Sequence, residues 1–257
     1  MTNARELANL VGGTLTNLTS GTSNVALGDE ALEAVTSGAN NTGIGVNAGT
    51  AITTGSGNTA LGHRAGEAIT TADNNVFIGK EAGLVNTTGA SNVAIGRDAL
   101  VSNTTAGNNV AIGYQALEEN TTGTQNVSIG TNSLDANTTG NFNVAVGQSS
   151  LGANTTASYN TGLGFRALLV NTTGASNTAV GAFALDANTT ASNNTVVGYQ
   201  AGTAITTGDK NTALGAAALD TATTGFNNVA IGYNALTANT VSGAHVAVGY
   251  QALETFN

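Results

Sequence analysis

Proline, cysteine and tryptophan are absent from the chain, and charged residues are scarce. Without cysteine there is no disulfide framework, and the redox compartment stays open. Charged residues make up 8% of the 257 residues, against about 25% in ordinary domains. Only six residues are Lys or Arg, the net charge is −9, and binding to nucleic acids or anionic membranes depends on basic side chains. We therefore expect neither partner.

Long apolar runs and targeting features are also missing from the sequence. No apolar stretch approaches the roughly 18 residues of a membrane span, so we expect no membrane insertion. Residues 1–13 lack the basic start and the continuous apolar stretch of a signal peptide. We expect the protein to be made in the cytoplasm and kept there until assembly or lysis.

A seventeen-residue repeat runs without insertion or deletion from Asn24 to the C-terminus. Its clearest copy is NVAIGYQALEENTTGTQ, residues 109–125, whose positions we number 1 to 17. A constant period indicates that each of the fourteen repeats is one coil of a solenoid, because loops that are free to vary would have varied. We predict an all-β solenoid domain over 24–257, preceded by an N-terminal segment with a degenerate capping coil over 1–23.

Positions 2 to 5 of the repeat predict a strand. Position 2 is always Val or Thr, position 4 is always Leu, Ile or Val, and position 3 is nearly always Ala or Gly. Val110 and Ile112 should therefore point one way, and Ala111 and Gly113 the other. Position 5 is always Gly, either because φ is positive there or because another backbone lies close. We predict a second strand from the Ala-Leu pair through the Thr-Thr pair.

Positions 9 and 12 exchange volume between repeats. Gly49 occurs with Ile52, whereas Leu117 occurs with Asn120, and Gly83 breaks the pattern because it occurs with an Asn. We expect both side chains to share one interior space that two large apolar groups would overfill. The Asn column should stack as an amide ladder between coils.

The small-residue face of the strand is the predicted contact with another copy of the chain. Three or four aliphatic groups per coil bury little apolar area, so we expect a further surface to be covered in a homo-oligomer. The Ala and Gly face carries no charge along the repeats. Its oligomer-facing or architectural residues include Ala111, Gly113, Gly130, Gly147, Gly164 and Gly181. Phe77, at a position that is otherwise small, is interpreted as a filler of this seam.

The repeats NVAIGYQAL, NVALGDEAL, NVAIGRDAL, NVAIGYNAL and HVAVGYQAL resemble the SVAIG-x-x-A units of the YadA-like heads of trimeric autotransporter adhesins, and similar rolls occur in phage tail fibres. The resemblance covers residues 24–257. It implies a left-handed parallel β-roll, a homotrimer and binding to a host surface. The family's repeat is shorter, and its signal peptide, stalk and membrane anchor are missing here. We therefore expect a virion tail fibre, with a bacterial cell-surface protein as the alternative location.

Aromatic residues cluster at the turns. Position 6 holds Tyr114, Phe165, Tyr199, Tyr233 and Tyr250. These rings either shield the turn backbone and the oligomer seam, or offer flat apolar faces beside Asn and Gln for stacking against sugars. We take them as candidate contacts with a host glycan or protein.

No catalytic, metal or cofactor site is expected. His63 and His245 lie nearly eleven coils apart, on the order of 50 Å at ~4.8 Å per coil. Acidic residues recur at position 10, and Glu118 and Asp135 fall in successive coils with the spacing of a glycosidase pair, but a solvated rim is the favoured interpretation. The glycines follow the repeat and form no phosphate-binding loop.

Threonine fills position 13, and Thr or Ser fills position 14 until Val241. One of these two ranks should be exposed, whereas ice binding favours two outward ranks, so an ice-binding solenoid is the less favoured interpretation. We predict a non-enzymatic, trimeric fibre or adhesin head segment for attachment to a host or cell surface. The alternative is a passive structural spacer or decoration protein.

Overall fold

The computed structural model describes residues 23–237, 241 and 243–254. It contains two compact parts, the N-terminal part (Met1–Thr124) and the C-terminal part (Gln125–Asn257). Each is a parallel β-solenoid with one short strand per seventeen-residue coil, and the described residues form no helix, which confirms the predicted fold class in this form. The predicted N-terminal segment and capping coil lie, apart from Ser23, outside the described residues. A single repeat domain over 24–257 stays a prediction.

All strands have three residues, and within each part they pair in parallel with their neighbours in sequence. Those of the N-terminal part are β1 (Val25–Leu27), β2 (Thr42–Ile44), β3 (Thr59–Leu61), β4 (Val76–Ile78), β5 (Val93–Ile95) and β6 (Val110–Ile112). Those of the C-terminal part are β7 (Val127–Ile129), β8 (Val144–Val146), β9 (Thr161–Leu163), β10 (Thr178–Val180), β11 (Thr195–Val197), β12 (Thr212–Leu214), β13 (Val229–Ile231) and β14 (Val246–Val248). Paired residues are one repeat apart, as in Val93 and Val110, so the register follows the sequence period.

The middle residue of each strand faces the interior, and its two neighbours face outward. Ala111 is fully buried within its own chain, while Val110 and Ile112 are partly exposed. The predicted alternation is confirmed, but the assignment of Ala111 to an outward, oligomer-facing side is wrong. Position 3 is small because the interior is narrow: a Cβ added to Gly43 would lie 2.7 Å from Cγ of Leu32.

Glycine is required at position 5 for both of the predicted reasons. The backbone of Gly147 has φ +127°, a value that side-chain-bearing residues rarely adopt, and an added Cβ would lie 2.5 Å from the carbonyl oxygen of Gly164 in the next coil. The glycines named above therefore have an architectural role, with φ from 127° to 139°: Gly113, Gly130, Gly147, Gly164 and Gly181. Their own neighbouring coils, rather than another copy, explain why this position excludes a side chain.

The predicted second strand is wrong, because the described residues at positions 8 to 14 lie in turns, bends and irregular segments. The residues before and after Ala116, Gln115 and Leu117, have φ of 53° and 55°, so the chain curls there instead of extending. The backbone of these turns still bonds from coil to coil. The N–H of Leu100, for example, donates to the carbonyl oxygen of Ala116 at 3.0 Å. Coil stacking therefore does not depend on the strands alone.

The interior confirms the exchange of volume between positions 9 and 12. A Cβ added to Gly49 would lie 2.9 Å from both Cδ1 of Ile52 and Cδ2 of Leu32. Phe77 explains the exception at Gly83, because its buried ring lies where a side chain on Gly83 would have to go, with Cε2 only 2.5 Å from an added Cβ. The interpretation of Phe77 as a seam filler is therefore wrong, since it fills the core.

Buried asparagines form two amide ladders. The predicted ladder at position 12 is confirmed: Nδ2 of Asn120 donates to Oδ1 of Asn103 at 3.0 Å and to the Gly123 carbonyl oxygen at 2.9 Å. A second ladder, at position 1, had not been predicted from the sequence. There, Oδ1 of Asn143 accepts the backbone N–H of Asn160 at 3.0 Å, and its Nδ2 donates to the Ala157 carbonyl oxygen at 2.9 Å.

Candidate interaction surfaces

The outward side chains of the strands form an apolar surface on each part, which we call the aliphatic face. It consists of the first and third residue of every strand, which are Val or Thr and Ile, Leu or Val, and none is charged in any repeat. Val25 is 52% exposed and Leu214 is 48% exposed, and none of these side chains belongs to the buried core. Because the strands pair in register, the side chains stand in two adjacent columns. A contiguous apolar surface of this kind is typical of a contact site.

The five predicted aromatic contacts lie on the turn that follows the strand, which we call the rim (positions 6 and 7). All five rings are exposed, from 40% for Tyr114 and Phe165 to 73% for Tyr250. In the N-terminal part, the Arg97 guanidinium lies over the Tyr114 ring at 5.5 Å from its centre. In the C-terminal part, Tyr233 and Tyr250 stack at 5.6 Å between ring centres. The rings are therefore available to a partner, although binding itself stays a prediction.

Phe165, Phe183 and Tyr199 form a continuous row along the rim. Phe165 and Phe183 meet edge to face at 5.2 Å between centroids, and Phe183 and Tyr199 do so at 6.3 Å. The Arg166 guanidinium lies over the Phe183 ring at 5.7 Å from its centroid. The predicted contacts Phe165 and Tyr199 are thus joined by two residues that had not been proposed as contacts. Their positions in successive repeats were visible in the sequence, but the ring geometry was not.

A second exposed ring pair lies on another turn. Phe142 and Tyr159, both at position 17, stack with their planes 3° apart and their centroids 5.1 Å apart. This pair had not been chosen as a candidate contact. Its signal in the sequence was the spacing of one repeat between two aromatic residues, because such residues lie beside each other in successive coils.

The basic residues Arg64, Lys80 and Arg97 on the rim of the N-terminal part lie in ion pairs. Arg64 binds Glu67 and Glu81, and the interaction with Glu67 raises the pKa of the guanidinium. The Nε atom of Arg97 lies 3.0 Å from Oδ2 of Asp98. Among the described arginines, Arg166 is the one without an ion pair to a carboxylate within 4.0 Å.

Acidic side chains occupy position 10 in seven of the fourteen repeats. Glu118 lies in the N-terminal part and Asp135 in the C-terminal part, so the expected closeness of their carboxyl groups stays a prediction. Burial raises the pKa of Asp186, against the lowering influence of the Arg166 charge, and burial also raises the pKa of Asp220. No group of three or more His, Cys, Asp or Glu residues in the described chain could hold a metal ion.

The two threonine ranks differ as predicted. Position 13 is half-buried, and its hydroxyl donates to the next coil, as from Oγ1 of Thr172 to the Thr189 carbonyl oxygen at 3.0 Å. Position 14 is exposed, as at Thr173 and Thr190. One outward rank is therefore present where a flat ice-binding surface would favour two. Within the described part of the chain, no helix is long and apolar enough to cross a membrane.

Comparison of the chain with protein-family models, with curated proteins and with solved structures found no match in any of the three. The resemblance to YadA-like heads and tail-fibre rolls therefore stays a prediction that rests on the repeated motif.

Proposed function

We propose that the chain is a segment of a left-handed, homotrimeric fibre or adhesin head of the phage tail-fibre type. In this proposal it attaches a virion to a host surface, catalyses no reaction and needs no cofactor. The single observation that carries the proposal is the aliphatic face, an uncharged apolar surface that continues through all strands of each part.

Self-association through the aliphatic face is supported by physical chemistry. Burying half-exposed Val, Ile and Leu side chains is favourable by roughly 25 cal/mol per Å² of apolar surface. Each coil contributes one or two such side chains in register, with Thr at the first strand position in six coils, so another copy with the same period can contact many of them at once. Parallel copies also satisfy the symmetry that most homo-oligomers adopt. The trimer itself is taken from the resemblance to the YadA-like heads.

Attachment is supported by the rim, whose positions 6 and 7 lie outside the aliphatic face. The rim carries exposed Tyr and Phe rings, and Asn and Gln occur beside them in several repeats. Aromatic rings next to amides can pack against the C–H faces of sugars while the amides bind their hydroxyl groups. A host glycan or glycoprotein is therefore the proposed partner.

The experiment that tests attachment uses the isolated, labelled protein on a glycan array and on a panel of bacterial strains. The proposal expects saturable binding to at least one surface, and weaker binding when Tyr233→Ala and Tyr250→Ala are combined. Thr173→Ala, on the exposed threonine rank, is the control and should bind like the unaltered protein. Absence of binding to every surface would favour a passive spacer or decoration protein, whose attachment is supplied by another chain.

A further inference from the structure

Arg166 differs from the other described arginines in how its charge is used. Arg64 and Arg97 each lie against carboxylates of their own chain, whereas the exposed Arg166 guanidinium has no carboxylate within 4.0 Å. Its side chain is instead held over the ring of Phe183, with Cζ at 5.7 Å from the centroid. Stacking on an aromatic ring fixes the plane of a guanidinium and leaves the donors at its edge available.

Three aromatic rings surround the Arg166 side chain. Phe165 precedes it in the chain, and Phe183 and Tyr199 continue the ring row over the next two coils. Phe165 is 40% exposed and Tyr199 is 55% exposed, so both retain accessible ring surface on either side of the guanidinium. The result is one cation with free donors inside a row of three rings.

We propose that Phe165, Arg166, Phe183 and Tyr199 form a binding site for an acidic saccharide, one whose sugar ring bears a carboxylate. The guanidinium receives the carboxylate in a bidentate pair, because its planar fork matches the geometry of that group. The neighbouring exposed rings of Phe165 and Tyr199 pack against the C–H face of the sugar. The inference rests on the proposed attachment function and names the class of glycan that this part of the rim would select.

The nearby charge of Asp186 limits how strong this site can be. Asp186 is close enough for the positive charge of Arg166 to lower its pKa, although burial raises that pKa more. An anionic ligand must therefore bind in spite of one partly buried carboxyl group. The net charge of −9 also disfavours polyphosphates. Recognition of the saccharide therefore has to come from the Arg166 guanidinium and the aromatic rings, not from the net charge of the chain.

The test is calorimetric titration of the full chain with sialyllactose and with trigalacturonate. Each titration is paired with the carboxyl-reduced form of the same saccharide, at constant ionic strength. We expect binding of at least one acidic saccharide and none of its reduced form. Arg166→Gln should weaken binding about tenfold or more, as expected for loss of a charge-assisted bidentate contact. Arg166→Lys keeps the charge but loses the planar guanidinium. Its affinity for the acidic saccharide should lie between those of Arg166→Gln and the unaltered protein.

Arg97→Gln is the matched control, because Arg97 also lies over a ring, that of Tyr114, but is paired with Asp98. It should bind like the unaltered protein. The inference is overturned if no acidic saccharide binds, if reduced forms bind equally well, or if Arg97→Gln and Arg166→Gln weaken binding equally. It is also overturned if a polyphosphate binds as well as the saccharide. Arg166→Gln protein that binds the acidic saccharide as tightly as the unaltered protein would refute this site while leaving the proposed attachment function intact.

Discussion

Asparagine at position 1 explains, at the scale of single residues, why successive coils lie in register. Oδ1 of Asn160 accepts the backbone N–H of Asn177 at 2.9 Å, and its Nδ2 donates to the Gly174 carbonyl oxygen at 2.8 Å. A buried amide needs both an acceptor role and a donor role satisfied, and here the next coil and its own coil supply them. The sequence showed thirteen Asn in this column but gave no direct indication of which partners they bind.

The position-12 ladder allows a graded prediction. Asn171 donates Nδ2 to Oδ1 of Asn154 and accepts Nδ2 of Asn188 at 2.6 Å, whereas Oδ1 of Asn188 has no partner because Ile205 follows it in the column. Asn171→Ala should lower the free energy of unfolding by about 2–4 kcal/mol, since it removes bonds on both sides and leaves buried groups unpaired. Asn188→Ala should cost less.

Urea unfolding of the two variants beside the unaltered protein measures this difference. Equal losses would contradict the ladder as a chain of coupled hydrogen bonds. A smaller loss for Asn171→Ala than for Asn188→Ala would do so more strongly.

Asp220 predicts how stability depends on pH. Burial raises its pKa above the ordinary value, and its Oδ1 is buried without a partner. The folded state therefore holds the proton more tightly than the unfolded state, so this carboxyl group lowers stability as pH rises from about 3.8 through the raised folded pKa. Relative to the unaltered protein, Asp220→Asn should unfold at higher urea at neutral pH. That gain should shrink below pH 3.8, where both states are protonated. A gain that is the same at both pH values would refute this assignment.

At the scale of the coil, the sequence predicted the strand but not the turns. The alternation of Val, Ala and Ile located each three-residue strand, and the constant period gave the parallel register. The predicted second strand was wrong because the Ala-Leu and Thr-Thr pairs are compatible with a strand as well as with the turns that the structure shows. The missed signal was the absence of Val, Ile and Thr at positions 7, 9 and 17 in the repeats. These positions have positive φ, as at Gln115 and Leu117, which β-branched residues strongly disfavour.

Positions 3, 9 and 12 share one interior space, so substitutions at these positions should affect stability jointly. In the coil of β11, Gly202 lies beside Ile205, whose Cδ1 would be 3.1 Å from an added Cβ, and beside Val196, whose Cγ2 would be 3.4 Å from it. Gly202→Leu alone should overfill the interior and destabilise the protein by about 1–3 kcal/mol. Adding Val196→Ala and Ile205→Asn copies the set found in the coil that starts at Asn177, and should recover most of the loss.

Thermal unfolding of the single and the triple variant checks this exchange. If the triple variant is no more stable than Gly202→Leu alone, positions 3, 9 and 12 do not share one space.

At the scale of the whole molecule, the sequence identified two unlike faces of the strand but assigned them wrongly. Large residues usually lie inside, yet Ile112 is partly exposed and Ala111 is fully buried. The interior of a seventeen-residue coil is filled by the Leu of position 9 and by the amide ladders, so only a small side chain fits opposite them. Composition alone does not reveal how thin that interior is. The candidate surface for self-association therefore moves from the small residues to the aliphatic face.

In the proposed assembly, other copies of this chain cover the aliphatic face. Sedimentation equilibrium at low micromolar concentration measures this association, on the unaltered protein and on a Leu163→Lys, Val180→Lys double variant. Thr173→Lys and Thr190→Lys, on the exposed threonine rank, form the control pair. We expect a mass three times the 25.1 kDa of one chain for the unaltered protein and the control, and dissociation of the face variant. A single 25.1 kDa species for the unaltered protein would contradict it.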